Sequence, residues 1–230
     1  MPSARESRAA LQLVTSDAVA TGRDLLTRSR GTAEARRLLL LDNVPALIGY
    51  YSSGSSALAA DLYEEERDLS SPRRAFVPEL VVDDRTEKVR RAVAWSTSPL
   101  IDAADDEARA AAEVLALSRL GEVIQLETAR PYRSTILRNR QQDEECVGWR
   151  RVTSGGCRLC RMLSDRGAVY KESTARFATH EHCNCTAQPV FQGGDVGEEA
   201  SAMQYVASKK NRTPAQQADL RNYLTEFYGP

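Results

Sequence analysis

The chain has 230 residues with 31 Lys/Arg against 32 Asp/Glu, and 42% of it is hydrophobic but only 6% aromatic. That length holds one large domain or two modest ones and can bury a real core. A net charge of −1 excludes a strongly basic nucleic-acid coat or an acidic tail, and no run approaches the roughly 20 apolar residues that span a bilayer.

Ala, Leu, Arg and Glu dominate, which favours helix over sheet. Residues 3–29 read as an amphipathic helix, with Ser3 and Glu6 as a capping box and Leu11, Val14, Val19, Leu25 and Leu26 as the apolar stripe. After Gly31 a second helix carries Leu38–Leu41, Val44, Leu47 and Ile48; Pro45 should limit its regularity and the Ser52–Ser56 patch should end it. A third helix is expected over 57–68. Ser71-Pro72 and Val77-Pro78 then break helix, and Phe76, Val77, Val81 and Val82 suit an extended segment.

Helix should resume over 84–97, with Val89, Ala92, Val93 and Trp95 inward. The longest periodic stretch follows over 101–140, with Val114, Leu115, Leu117, Leu120, Ile124 and Leu126 as its seam and Pro131 bending or splitting it. An antiparallel bundle or an extended helical arm is the expected packing of this region. Further on, 147–152, 168–171 and 186–191 read as short strands. Gly193-Gly194-Asp195 is a linker, and two helices close the chain at 197–208 and 213–227. The last is marked by Thr213 as N-cap, Pro214 at the first helical position and Gln216 two residues on.

Both histidines and four of the five cysteines fall within 29 residues: Cys157-Arg-Leu-Cys160, then His180-Glu-His182-Cys183-Asn-Cys185. A CxxC pair followed by a tight His/Cys cluster supplies two halves of a tetrahedral site, the donor set of a structural Zn²⁺. Cys157 and Cys160 are the first pair. His180 with Cys183 or Cys185 is the second, and His182 is a substitute ligand. If a strand begins near Cys183, Cys183 and Cys185 share a face. Disulfides would leave the histidines unexplained, and the first 30 residues show no apolar signal region, which implies a reducing compartment. Redox chemistry and simple burial of the thiols are the competing readings. Cys146, in an acidic stretch, reads as an exposed free thiol.

The expected fold class is therefore mainly α with a small zinc-stapled β-rich (α+β) module near the C-terminus. The expected division is 1–140 helical, 147–191 zinc-binding and 196–230 a helical tail. Residues 147–191 carry seven Lys/Arg against Asp165, Glu172 and Glu181. Such a patch suits phosphates, with Arg150, Arg151, Arg158 and Arg161 as candidate contacts, or else a solvated face that offsets zinc-bound thiolates.

The run Val147–Tyr170, holding Cys157 and Cys160, and the run His180–Phe191, holding HxxCxC followed by Thr and a strand, resemble the Mu F-like minor head proteins of tailed phages, particularly the actinobacteriophage type. Cys157, Cys160, His180, Cys183 and Cys185 fall on that family's motif positions; many relatives have proline after the first histidine, where this chain has Glu181 and then His182. The resemblance is specific over about 45 residues and loose over the helical region. It implies a minor capsid or head-morphogenesis protein, made in the host cytoplasm and carried in the virion at few copies. Its implied partners are the portal protein, the major capsid protein and, non-specifically, packaged DNA, with ejection alongside the genome as one fate.

No catalytic machinery is expected. Both histidines sit in the cluster, so a Ser-His-Asp or Cys-His apparatus would take a metal ligand, and GxSxG, HExxH, P-loop and GxGxxG patterns are missing. The alternatives are a zinc-dependent HNH-like nuclease, with His180 or His182 as base, and a cellular zinc-module DNA-binding protein. The nuclease needs a helix after the histidines, where the sequence reads as strand.

Overall fold

The computed structural model describes residues 4–153, 158–165, 185–191 and 213–229. The elements in chain order are α1 (Ala4–Arg28), α2 (Ala33–Leu69), α3 (Thr86–Asp102), α4 (Asp106–Gln142), β1 (Cys146–Val152), α5 (Arg158–Asp165), β2 (Thr186–Phe191) and α6 (Pro214–Tyr228). The described residues are thus mainly helical with one two-stranded sheet. None of the helices is long and apolar enough to cross a membrane. The expected capping box at Ser3, the strand at 168–171 and the helix at 197–208 lie outside the described residues.

Packing divides the chain into two compact units, Met1–Asp61 with Glu79–Thr135 and Leu62–Pro78 with Ile136–Pro230. The cut falls inside α2 and α4, and α6 belongs to the second unit.

The first unit is an up-and-down four-helix bundle. Arg36 of α2 bonds the Leu26 carbonyl near the end of α1 and, bidentately, Glu113 near the start of α4, at 3.0 and 2.5 Å. At the other end Ser7 of α1 meets Tyr132 of α4 at 2.9 Å. Those pairings run α1 antiparallel to α2 and α4. α3 is antiparallel to α4 through Arg85 and Glu127 at one end and Arg119 over the Trp95 ring, 4.5 Å from its centroid, further along.

α1 buries Ser7, Leu11, Thr15, Ala18, Gly22 and Leu26, a strict three-and-four spacing of small and apolar residues. Gly22 sits where a Cβ would come within 2.1 Å of Ile124 Cδ1, so a glycine is what lets α1 approach α4. The core joins Ala18, Leu26, Leu40, Val44, Ile48, Val93, Leu120 and Ile124 with Ala112 and Ala116. The seam of α4 therefore passes through alanines; Val114 and Leu115, expected inside, are exposed, as is Trp95 on α3.

Three prolines sit inside helices: Pro45 in α2, Pro99 in α3 and Pro131 in α4. A proline in a helix interior costs about 3 kcal/mol. Around Pro45 and Pro131, buried residues lie on both sides (Val44 and Ile48, Ala129 and Tyr132), and tertiary packing of that kind holds a helix together past a local penalty. The serine patch is likewise helix. Ser52, Ser55 and Ser56 are buried within α2, and the Ser56 and Thr135 hydroxyls, 2.9 Å apart, both accept from the Val81 amide. The residues read as a helix stop instead pin the extended return segment against the bundle.

The second unit holds the sheet. β1 and β2 pair antiparallel, with Val152 opposite Thr186, Trp149 opposite Pro189 and Cys146 opposite Phe191, and an irregularity between Cys146 and Gly148. Every residue of β2 is buried. Tyr63 stacks with Phe76 and Phe191, at 5.8 and 5.3 Å between centroids. Beside it Arg67 Nε donates to Asp143 Oδ2 at 2.8 Å, with both side chains almost wholly buried. Arg67 also donates to the Arg74 carbonyl at 2.6 Å, while the Glu145 carboxylate accepts from the Arg73 and Arg74 amides.

Candidate metal centre

Cys160, from the CxxC half, and Cys185, from the HxHCxC half, come together through the strand register. β2 begins opposite the end of β1, so Cys185, just before Thr186, lies beside the point where the chain leaves β1. α5 starts a few residues later and folds back, its Ser164 Oγ donating to the Arg151 carbonyl of β1 at 2.8 Å. Cys160, in the first turn of α5, thereby meets Cys185. Each thiol is 1% exposed, and the two form a buried cluster of their own.

One residue from each half is thus buried beside the other, 25 positions apart in sequence. Cys157, His180, His182 and Cys183 lie outside the described residues. Among the described residues no group of three or more His, Cys, Asp or Glu gathers as a metal requires. Cys160 and Cys185 are two of the soft donors that a tetrahedral thiolate and imidazole site would use. The knuckle, however, leads into a helix, where a β-rich module was expected.

Cys146 differs from its expected place. It opens β1, is 4% exposed, and lies 3.3 Å from the Gly148 carbonyl and 3.5 Å from that of Val190. Burial pushes its thiol up, and burial followed by Cys146 and Asp143 pushes up the neighbouring Tyr63 phenol. The acidic run that suggested exposure contains Asp143, which is buried against Arg67. A neutral structural thiol results.

Of the four candidate arginines, Arg151 is 3% exposed and does not present its guanidinium to a duplex. Arg150 Nε donates to Gln188 Oε1 at 2.9 Å, and Gln188 in turn donates to Glu66. Arg158 donates to Thr225 Oγ1 and Arg161 to the Tyr228 carbonyl, both on α6. Burial, and then the Asp165 carboxylate, pushes the Tyr228 phenol up to about 12.

The first unit contains a cleft of about 310 Å³ whose lining includes Pro45, Ile48, Val89, Glu127, Arg130 and Pro131. Burial alone would raise Glu127. Two bonds from Arg85, at 2.6 and 3.1 Å, together with the Arg130 and Lys88 charges, hold it below its ordinary value. Sequence reading passed over this ion pair because its partners are 42 residues apart, one just before α3 and one within α4.

No curated protein and no solved structure matches the chain. A family model described as VG15 protein matches residues 2–210, a span that takes in the four-helix unit, the sheet and both halves of the Cys/His cluster. The chain belongs to the VG15 family, a family of phage gene proteins, and is a phage protein.

Proposed function

We propose that this phage protein is a minor head protein whose C-terminal unit is stapled by one structural zinc ion. The observation that carries the reading is the burial of Cys160, from one half of the motif, beside Cys185, from the other. Cys157 and Cys160 would hold the ion with His180 and one of Cys183 and Cys185, His182 being the substitute. The burial of Cys185 beside Cys160 favours Cys185 for that place. The ion would supply cross-linking, ordering a segment too small for a core of its own. The family match supports a phage protein, and the motif resemblance supports a place in the virion head, with portal and capsid shell as partners.

A non-catalytic role is part of the reading. The segment after the histidines is strand β2, whereas the nuclease alternative requires a helix there. Contact with packaged DNA would be weak and sequence-independent, through phosphates at Arg150, Arg158 and Arg161, and would fall steeply with salt. Mass spectrometry of purified particles tests the assignment: a few copies per particle are expected, and absence from particles would overturn it. Metal-dependent cleavage of duplex DNA, lost in His182→Ala, would establish the nuclease instead.

A further inference from the structure

The family match ends at residue 210, and α6 begins at Pro214. This helix nevertheless packs on α5, the helix that carries Cys160. Met162 and Leu163 of α5 pack with Leu220 of α6, and Leu159, Tyr223, Leu224 and Tyr228 close around them. Arg158 Nη1 donates to Thr225 Oγ1 at 2.9 Å, and Arg161 Nη2 donates to the Tyr228 carbonyl at 2.6 Å. The second bond satisfies a carbonyl at the end of α6 that has no partner within its own helix, and it places a cation at the negative end of the helix dipole.

α5 is eight residues long, below the length at which a helix holds by itself in water, so its apolar face needs a cover. The cover is self-sufficient at its start, where Thr213 and Gln216 form a reciprocal capping box. Its grip is shallow. Leu220 is the one buried residue of α6, and Phe227 stays 62% exposed against the Tyr223 ring, 4.7 Å away between centroids. A helix bound through so little buried surface opens at a small fraction of the global unfolding free energy.

We propose that α6 is a releasable clasp: it keeps α5 folded and so keeps Cys160 against Cys185, and its departure loosens the thiol site. The consequence for metal retention rests on the zinc reading above; the consequence for α5 does not. The test is hydrogen exchange by mass spectrometry on the full chain, alongside zinc release to a chelator. In Leu220→Asp the α5 amides should exchange at least tenfold faster than in the parent while α3 is unchanged. Zinc should pass to the chelator at least tenfold faster. Tyr223→Ala, a milder change at the edge of the contact, should show the same pattern at smaller size and keeps the test readable if Leu220→Asp misfolds. Unchanged α5 protection in both variants overturns the clasp. If the parent binds no zinc and α5 still loosens in the variants, the clasp holds and the zinc reading falls.

Discussion

The two units of this chain are held by different physics. The bundle is held by a periodic interface in which small residues, Ala18, Gly22, Ala112 and Ala116, let helices approach, and larger ones, Leu26, Leu40, Leu120 and Ile124, fill the space. The second unit relies on particular pairs: a buried Arg67–Asp143 ion pair, the Tyr63–Phe76–Phe191 aromatic group and the Cys160–Cys185 thiols. Periodic packing spreads its stabilisation over many contacts, so single losses are tolerated. Pairwise packing concentrates it, and removing one partner leaves the other buried without its match.

The sharpest way to break the contrast is at the proposed staple. Cys160→Ser should abolish zinc binding and remove a contribution on the order of 10 kcal/mol from the second unit. Helical circular dichroism from the bundle should persist while the second unit loses its exchange protection. Less than half an equivalent of zinc in the reduced parent protein would remove the basis of this expectation.

Next in size is Asp143→Ala, which takes the nearer carboxylate from an almost fully buried Arg67, leaving it the Arg74 carbonyl and Glu145 at 3.9 Å, and should lower stability by about 3 kcal/mol. Chemical denaturation measures it. A loss under 1 kcal/mol would show that the pair is not a main support of this unit.

In the bundle the comparable change is subtler. Gly22→Ala gains about 1 kcal/mol of helix propensity, but its Cβ would land 2.1 Å from Ile124 Cδ1, and overpacking of that kind costs about 1–3 kcal/mol. A net loss near 1 kcal/mol is expected, relieved in the double variant with Ile124→Val, which removes the offending methyl. Additive losses in the double variant would mean that the close approach does not matter.

The smallest effect concerns acid. Glu127 is held below its ordinary value, so its pairing with Arg85 stabilises fully above the unfolded carboxyl value of about 4.3, and this is lost as pH falls through the lower folded value. Glu127→Gln should cost about 1 kcal/mol at pH 7, and the gap from the parent should close in more acid solution. A gap that stays constant with pH would assign the loss to shape rather than charge.

What was legible in the sequence follows the same contrast. The start of α6 could be read from Thr213, Pro214 and Gln216, because a capping box is settled within four residues. β2 was found over its observed span, and α1 to within a residue at each end. The continuity of α2 was missed at Ser52–Ser56, because local breaker signals yield to packing partners that lie far along the chain. For the seam of α4, counting large apolar residues favoured Val114 and Leu115, whereas close packing chose Ala112 and Ala116. Around the candidate centre, the helix bearing Cys160 was not legible. The position of Cys146 depends on Phe191 across the sheet, which no nearby residue announces.

The register of the sheet has one more consequence. A strand at the edge of a sheet is a template on which another chain could add a strand and begin to aggregate. Here Pro189 stands in the middle of β2 with no amide hydrogen to offer, and the strand is buried along its whole length. Burial leaves an incoming strand no room along β2, and a proline in mid-strand suits β2 to an edge of the sheet rather than to its centre.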